Sequence, residues 1–389
     1  MPVRLELTWH DRAADLPEAL WHHCFGPPRE GLFWYRAIEA GTLAGQFKFM
    51  FGELQQDGVA IGIVPAFLFD FPLQLVVPSA LSHVLEVLAV GPLRRMAFQR
   101  TLFIGSVAGE EGHIGLVPGH ALQDLAPFVH DQSRAKARAL KAPMLIWKDF
   151  PNPDRTALDS LLRARHAFRM VSYPGTEIPL VSGGYTAFLA TLRSERRWKI
   201  NAKLRRGEKN VGLLTTVVAQ PGRAEVDEIF ALYLQTYARG RTKFERLTPD
   251  FFHAITACRE STCIIQRDPV SGKMLAFMLM LDLGQRVINQ FIGIDYAAGA
   301  GGFLYFRLFA AAYDWACTTR ASVLQSGQTG YMAKLDMGHE LVPLWNYGQH
   351  CNPILNRIYR RFASATGWHS LDAQLGEYLK AHPEARIPG

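Results

Sequence analysis

The chain has 389 residues, 49% of them apolar and 20% charged, with a net charge of +7. That length sets two domains as the expectation, and that balance describes an ordinary globular protein with ample core. The longest apolar region, Val59–Gly91, is broken by Pro65, Asp70, Pro72, Pro78, His83 and Glu86, which excludes the run of about 20 apolar residues that a membrane span needs.

In chain order, Val3–Thr8 reads as a short strand, followed by helices around Leu16–Cys24 and Leu32–Gly41. Across Phe47–Phe69, two apolar runs flank Gln55-Gln-Asp-Gly58 and predict a strand, a turn and a strand. Residues 70–125 are punctuated by proline and glycine and hold a small basic cluster, Arg94–Arg100. A helix around Leu122–Leu140, a strand at Met144–Trp147 and a helix at Thr156–His166 complete the first half in α/β alternation. Two prolines and three glycines in Tyr173–Gly184 mark the boundary, giving domains over 1–178 and 179–389.

The second half opens with a helix Tyr185–Asn210, a strand Leu213–Val218 and a helix Ala224–Thr236, then a charged loop within Tyr237–Phe252 leading into another helix. Cys263–Gln266, Met274–Leu283 and Arg286–Asp295 are apolar runs separated by Asp268-Pro-Val-Ser-Gly-Lys273 and Gly284-Gln285. They predict an antiparallel meander. A glycine-rich turn, Tyr296–Gly302, then opens a helix Phe303–Cys317 whose only charges are Arg307 and Asp314, so that helix is expected against the sheet. The run Ala321–Leu324, the segment Tyr331–Gly338 and a late strand Leu341–His350 follow. In the helix Pro353–Ala365, Leu355, Ile358, Tyr359 and Phe362 share one face. The hairpin at Phe47–Phe69 looks like an earlier copy of that at 263–283, which points to two related domains in tandem, though no residue-level repeat is visible.

Five cysteines (Cys24, Cys258, Cys263, Cys317, Cys351), none in a Cys-x-x-Cys pair, fit reduced thiols in a cytoplasmic protein, and His and Cys nowhere cluster at metal-ligand spacing. The start "MPVRLELTWHDR" lacks the basic and apolar blocks of a secretory signal. The positive charge is local. Arg193, Arg196, Arg197, Lys199, Lys203, Arg205, Arg206 and Lys209 face only Glu195 and Glu208 in that stretch. So many like charges repel one another and favour an anionic partner, against the plainer reading of a solvated helix face. Trp198, among them, suits base stacking or, by composition, core packing.

Three motifs carry a resemblance: Phe291–Asp295 ("FIGID"), the turn with Gly299, Gly301 and Gly302, and Tyr331–Gly338 ("YMAKLDMG"). Their order resembles a GNAT-superfamily acyltransferase, closest to the Fem-type branch, in which tandem GNAT-like domains include aminoacyl-tRNA-dependent transferases. Tyr331, Lys334 and Gly338 match that branch's Tyr-x-x-Lys…Gly motif, and Ser194–Arg206 is similar to its arginine-rich helix. The resemblance covers about residues 180–365 and implies an α/β fold of two mixed, mostly antiparallel twisted sheets flanked by helices. It implies acyl-CoA or aminoacyl-tRNA as donor, an amine of a small molecule or peptide as acceptor, and tRNA as a partner. Gly299, Gly301 and Gly302, with Arg196, Arg197 and Lys203, would hold the donor. Tyr296 stands where the acyl-CoA loop carries a basic or amide residue, which leaves the donor open. A non-catalytic protein holding RNA or an anionic envelope precursor is the alternative.

For the chemistry, Tyr331 and Lys334 fall at i and i+3 on one helix face, where an ammonium could bind phosphate or steady an oxyanion. An exposed lysine is the plain alternative. Gln290, Asp295 and His339 are candidates for a base or orienting group, and spacing selects none of them; Asp295, ending the strand, completes the expected catalytic set. Ser326 lies in "LQSGQ", outside a Gly-x-Ser-x-Gly elbow, so a serine hydrolase has little support.

Overall fold

A computed structural model describes residues 3–41, 43–72, 98–210, 212–240, 245–298 and 301–385. The chain divides into two compact units. Met1–Phe25, Ala44–Tyr173 and Pro343–Gly376 make the first; Gly26–Leu43, Pro174–Val342 and Glu377–Gly389 make the second. The expected single cut between residues 178 and 179 therefore becomes a set of crossings.

The first unit is built on a sheet ordered β1 (Leu5–His10), β2 (Lys48–Gln56), β3 (Val59–Pro72), β4 (Phe98–Ile104), β6 (Met144–Pro151), β15 (Leu344–His350) and β7 (Phe168–Val171), with β5 (Gly115–Leu116) beside β3. Neighbours along that path are antiparallel except β4 and β6. The second sheet runs β9 (Leu214–Val218), β10 (Ser261–Arg267), β11 (Met274–Asp282), β12 (Arg286–Ile294), β13 (Val323–Gln325), β8 (Gly175–Pro179) and β14 (Glu340–Val342). Here only β12 and β13 are parallel. Both sheets follow one plan: four antiparallel strands, a fifth parallel to the fourth, then two antiparallel. In each, the sixth place is filled by a strand from the other half of the chain, β15 in the first and β8 in the second. This topology holds the tandem repeat that the residues conceal.

Prolines set the crossings. Pro343 separates β14 from β15, so the expected single strand Leu341–His350 is two strands in different sheets. A proline lacks the N–H that a continuing ladder requires. The expected helix Tyr185–Asn210 is likewise two, Gly184–Thr191 and Ser194–Asn210, because Leu192 is extended (φ −79°, ψ 154°). The Phe47–Phe69 hairpin forms as expected, turning at Asp57 and Gly58, both with positive φ.

In the first unit, the Trp147 indole N–H donates to His130 Nδ1 (3.2 Å), leaving His130 Nε2 to donate to Gln349 Oε1 (2.9 Å). Burial pushes the His130 pKa down to about 4, keeping it neutral. In the second unit β11 is buried along nearly its whole length, as a strand covered on both faces must be. Leu304, Leu308, Phe309, Ala312 and Tyr313 of the central helix (Gly301–Ala316) belong to one core cluster with Ile264, Met278, Met280 and Val287. A second apolar group, Tyr233, Phe251 and Phe252, packs around Phe291, which stacks on Trp34 at 6.4 Å, and Phe277 meets the group through Phe252.

Candidate functional site

In the second unit, β12 and β13 pair only over Arg286–Ile288 and Val323–Gln325. There β13 ends while β12 continues to Ile294, so the edge of β12 over residues 289–294 has no strand partner among the described residues. The sheet opens at this point. A bulge accompanies the opening: Leu279 faces Phe291 and Met280 faces Asn289, leaving Gln290 as the extra residue. Such bulges re-aim side chains. Asn289 is buried, and its Oδ1 has no hydrogen-bond partner among the described residues. A buried amide oxygen left unsatisfied costs stability and points to a role outside packing. Gly293 is dictated by close approach, since a Cβ there would lie 2.3 Å from Phe277 and 2.7 Å from the Leu232 backbone.

Asp295 follows β12. Its carboxylate accepts from the Ala297 N–H (2.9 Å) and pairs with Lys273 Nζ (2.5 Å). The hydrogen-bonded Lys273 holds the carboxyl below its ordinary range against the opposing effect of burial. Asp295 thus fixes the turn that precedes the central helix, an occupation that competes with service as a base. Arg239, ending the helix Arg223–Arg239, lays its guanidinium 4.3 Å over the Tyr296 ring. A cation therefore stands at this turn, brought by the fold where the sequence has tyrosine. Gly301 and Gly302 open the central helix; Gly299 lies outside the described residues.

The loop after β13 is held in an uncommon shape, with φ of 63° at Gly327, 67° at Thr329 and 61° at Gly330. A β-branched residue at positive φ is strained, so the surroundings must impose it. Lys334 Nζ donates to the carbonyls of Gly327 (2.9 Å) and Gln328 (3.4 Å), and Thr176 Oγ1 donates to Gly327 (3.2 Å). His339 adds a further brace. Its Nδ1 lies 2.9 Å from the Lys334 carbonyl, which only accepts, so Nδ1 carries the proton and Nε2 accepts from Ser326 Oγ at 2.9 Å. Burial above all, aided by the charges of Lys334 and Arg196, pushes the His339 pKa down to about 3. The imidazole is neutral at neutral pH.

The short helix Tyr331–Asp336 gathers three of the expected residues. Besides Lys334, Arg196 Nη2 donates to the Leu335 carbonyl (2.8 Å) and Lys203 pairs with Asp336. Both cations from the helix Ser194–Asn210 meet the end of a helix where carbonyls carry partial negative charge. Lys203 also lies 5.0 Å over the Phe306 ring of the central helix. Tyr331 is apart from them: it is buried, and its hydroxyl donates to the Pro174 carbonyl (3.0 Å). Arg197 donates to the Ala190 carbonyl (3.2 Å).

Two features escaped the sequence. Trp198, expected by composition to pack inside, is 66% exposed, on the same helix as exposed Lys199, Arg205 and Arg206. The helix packs instead through buried Ile200, with Leu204 half-buried. Tyr305, in the second turn of the central helix, has a buried hydroxyl without a hydrogen-bond partner among the described residues, and burial raises its pKa. No spacing signal marks it; only the 3.6-residue period could have placed it one turn past the glycines.

The comparisons agree with this geometry. A family model described as an acetyltransferase (GNAT) domain matches residues 194–327. Among solved structures, FemX superposes with a TM-score of 0.56 at 12% identity, covering 91% of this chain and 100% of FemX. A conserved protein of unknown function from Bacteroides thetaiotaomicron gives 0.54 at 13% identity, covering 88% and 99%. A tandem GNAT protein from the clavulanic acid biosynthesis pathway gives 0.49 at 10%, covering 90% and 99%. No curated protein matches by sequence. Strand order and the matched segment lead to one assignment: the chain has the two-sheet α/β fold of FemX, and its residues 194–327 match an acetyltransferase (GNAT) domain.

Proposed function

We propose that the protein transfers an acyl or aminoacyl group from a thioester or an aminoacyl-tRNA ester to an amine, at the opening between β12 and β13. The observation that carries this reading is the unpartnered edge of β12 beside the start of the central helix. An extended donor bearing amides can add to such an edge as a strand would, and the helix N-terminus with Arg239 suits its phosphates. The amine attacks the donor carbonyl, a backbone N–H on that edge steadies the oxyanion, and as the C–S or C–O bond breaks the leaving thiolate or alkoxide takes the proton from the amine. Lys334 serves as a positioning residue, since its ammonium is bound to the Gly327 and Gln328 carbonyls. Exposed Trp198 with Lys199, Arg205 and Arg206 offers a stacking face bordered by cations, which favours a nucleic-acid end.

The test is a transfer assay with the full chain, acetyl-CoA and mixed aminoacyl-tRNA as separate donors, and amines and peptides as acceptors. Transfer from one donor supports the proposal and identifies it. Salt-sensitive binding of tRNA with no transfer from either donor replaces it by the non-catalytic reading, which the tyrosine at position 296 favours.

A further inference from the structure

The helix Pro353–Ala365 in the first unit has a face that its own unit leaves open. Asn352 caps its start, accepting from the N–H groups of Ile354 (2.9 Å) and Leu355 (3.2 Å), and Pro353 occupies the first helical position. One side is fixed to the sheet. Asn356 accepts from the His350 N–H (2.9 Å) and donates to the His166 carbonyl (2.9 Å). Tyr359 stacks on Phe168 at 5.9 Å and donates to Gln99 Oε1 (2.6 Å), and Ala363 is buried with Met144 and Phe168.

The adjoining side is apolar and exposed. Ile354 is 71% exposed, Leu355 42%, Ile358 45% and Phe362 49%. At about 100° per residue they share one arc. Next to it, on the side away from Tyr359, come exposed Arg361 and Arg357, and then Arg360, which donates to the His166 carbonyl (2.8 Å). The helix contains no Asp or Glu. Four large apolar side chains grouped on a surface mark an interaction site. An antiparallel two-fold pairing of this face with a second copy would set arginines near arginines.

We infer that this helix is a docking face for an anionic membrane surface, with Ile354, Leu355, Ile358 and Phe362 entering the headgroup–acyl boundary and Arg357 and Arg361 meeting lipid phosphates. An apolar stripe edged by arginine is the pattern of helices that lie in that boundary. Among the described residues no helix is long and apolar enough to cross a bilayer, and the contact inferred is with its surface.

Sedimentation of the full chain with vesicles of phosphatidylcholine, alone or mixed with phosphatidylglycerol, tests this. Binding is expected on the mixed vesicles and weak on the neutral ones. Each arginine near the surface is worth roughly fivefold in affinity, so Arg357→Gln with Arg361→Gln should lower binding more than about tenfold. Ile358→Glu with Phe362→Glu should abolish it. Both pairs are exposed, so the thermal midpoint should hold; should the glutamate pair unfold, the glutamine pair decides alone. Equal binding to both vesicle types, no binding to either, or binding retained by the variants overturns the inference. So does a dimer of the unsubstituted chain, seen by sedimentation without lipid and lost in the glutamate pair, which would assign the face to a second copy.

Discussion

Acidification should weaken the second unit through His339, and the substitution His339→Gln isolates the effect. The folded pKa is about 3, whereas an unfolded histidine titrates near about 6.5. Between those values the unfolded chain binds a proton that the folded chain does not, so stability is fully present above the upper value and is lost as pH falls through the window. At pH 5 that amounts to about 1.5 pKa units, or about 2 kcal/mol. At pH 7.5 the variant forfeits the ring's bonds to Ser326 and the Lys334 carbonyl, about 1 kcal/mol each, and part of its contact with Phe309, 4.9 Å between rings. A gap of about 2–3 kcal/mol at pH 7.5 should therefore nearly close by pH 5. His130, buried neutral in the first unit, contributes its own acid sensitivity, so the probe must be local. Hydrogen exchange of a peptide spanning Val323–Gln325 reports on the unit that holds His339. An identical gap at both pH values would refute the reasoning, because the ring would then be solvated or already protonated.

Other substitutions test separate elements. Gly338→Ala forces a Cβ to within 2.6 and 2.9 Å of the Phe188 ring at a φ of +109°, and should cost about 2–4 kcal/mol, read as a lowered thermal midpoint. Tyr331→Phe strands the Pro174 carbonyl and should cost about 1 kcal/mol while leaving transfer intact. A hundredfold drop in rate at unchanged stability would return Tyr331 to the chemistry. Arg239→Gln removes the cation over Tyr296 and should raise the Kd of a phosphate-bearing donor by about five- to tenfold without changing stability; unchanged affinity would detach Arg239 from the site.

The sequence by itself determined the local elements of the second half. The runs at 263–266, 274–283 and 286–295 appear as β10, β11 and β12 with small shifts at their ends, and the nearly uncharged helix after the glycines is buried as its composition demands. Alternating apolar residues and turn chemistry act over a few residues, so they can be read without the fold. Strand partnership cannot. Only the tertiary structure assigned β8 and β15 to opposite sheets, because pairing of such short strands depends on residues far along the chain. The same holds for side-chain roles. Spacing placed Lys334 on a helix, but its bond to the Gly327 carbonyl, the Ser326–His339 pair, the Lys273–Asp295 pair and the exposure of Trp198 arise from segments meeting in space. Charge and hydropathy along a sequence state what a side chain can do; its neighbours decide what it does.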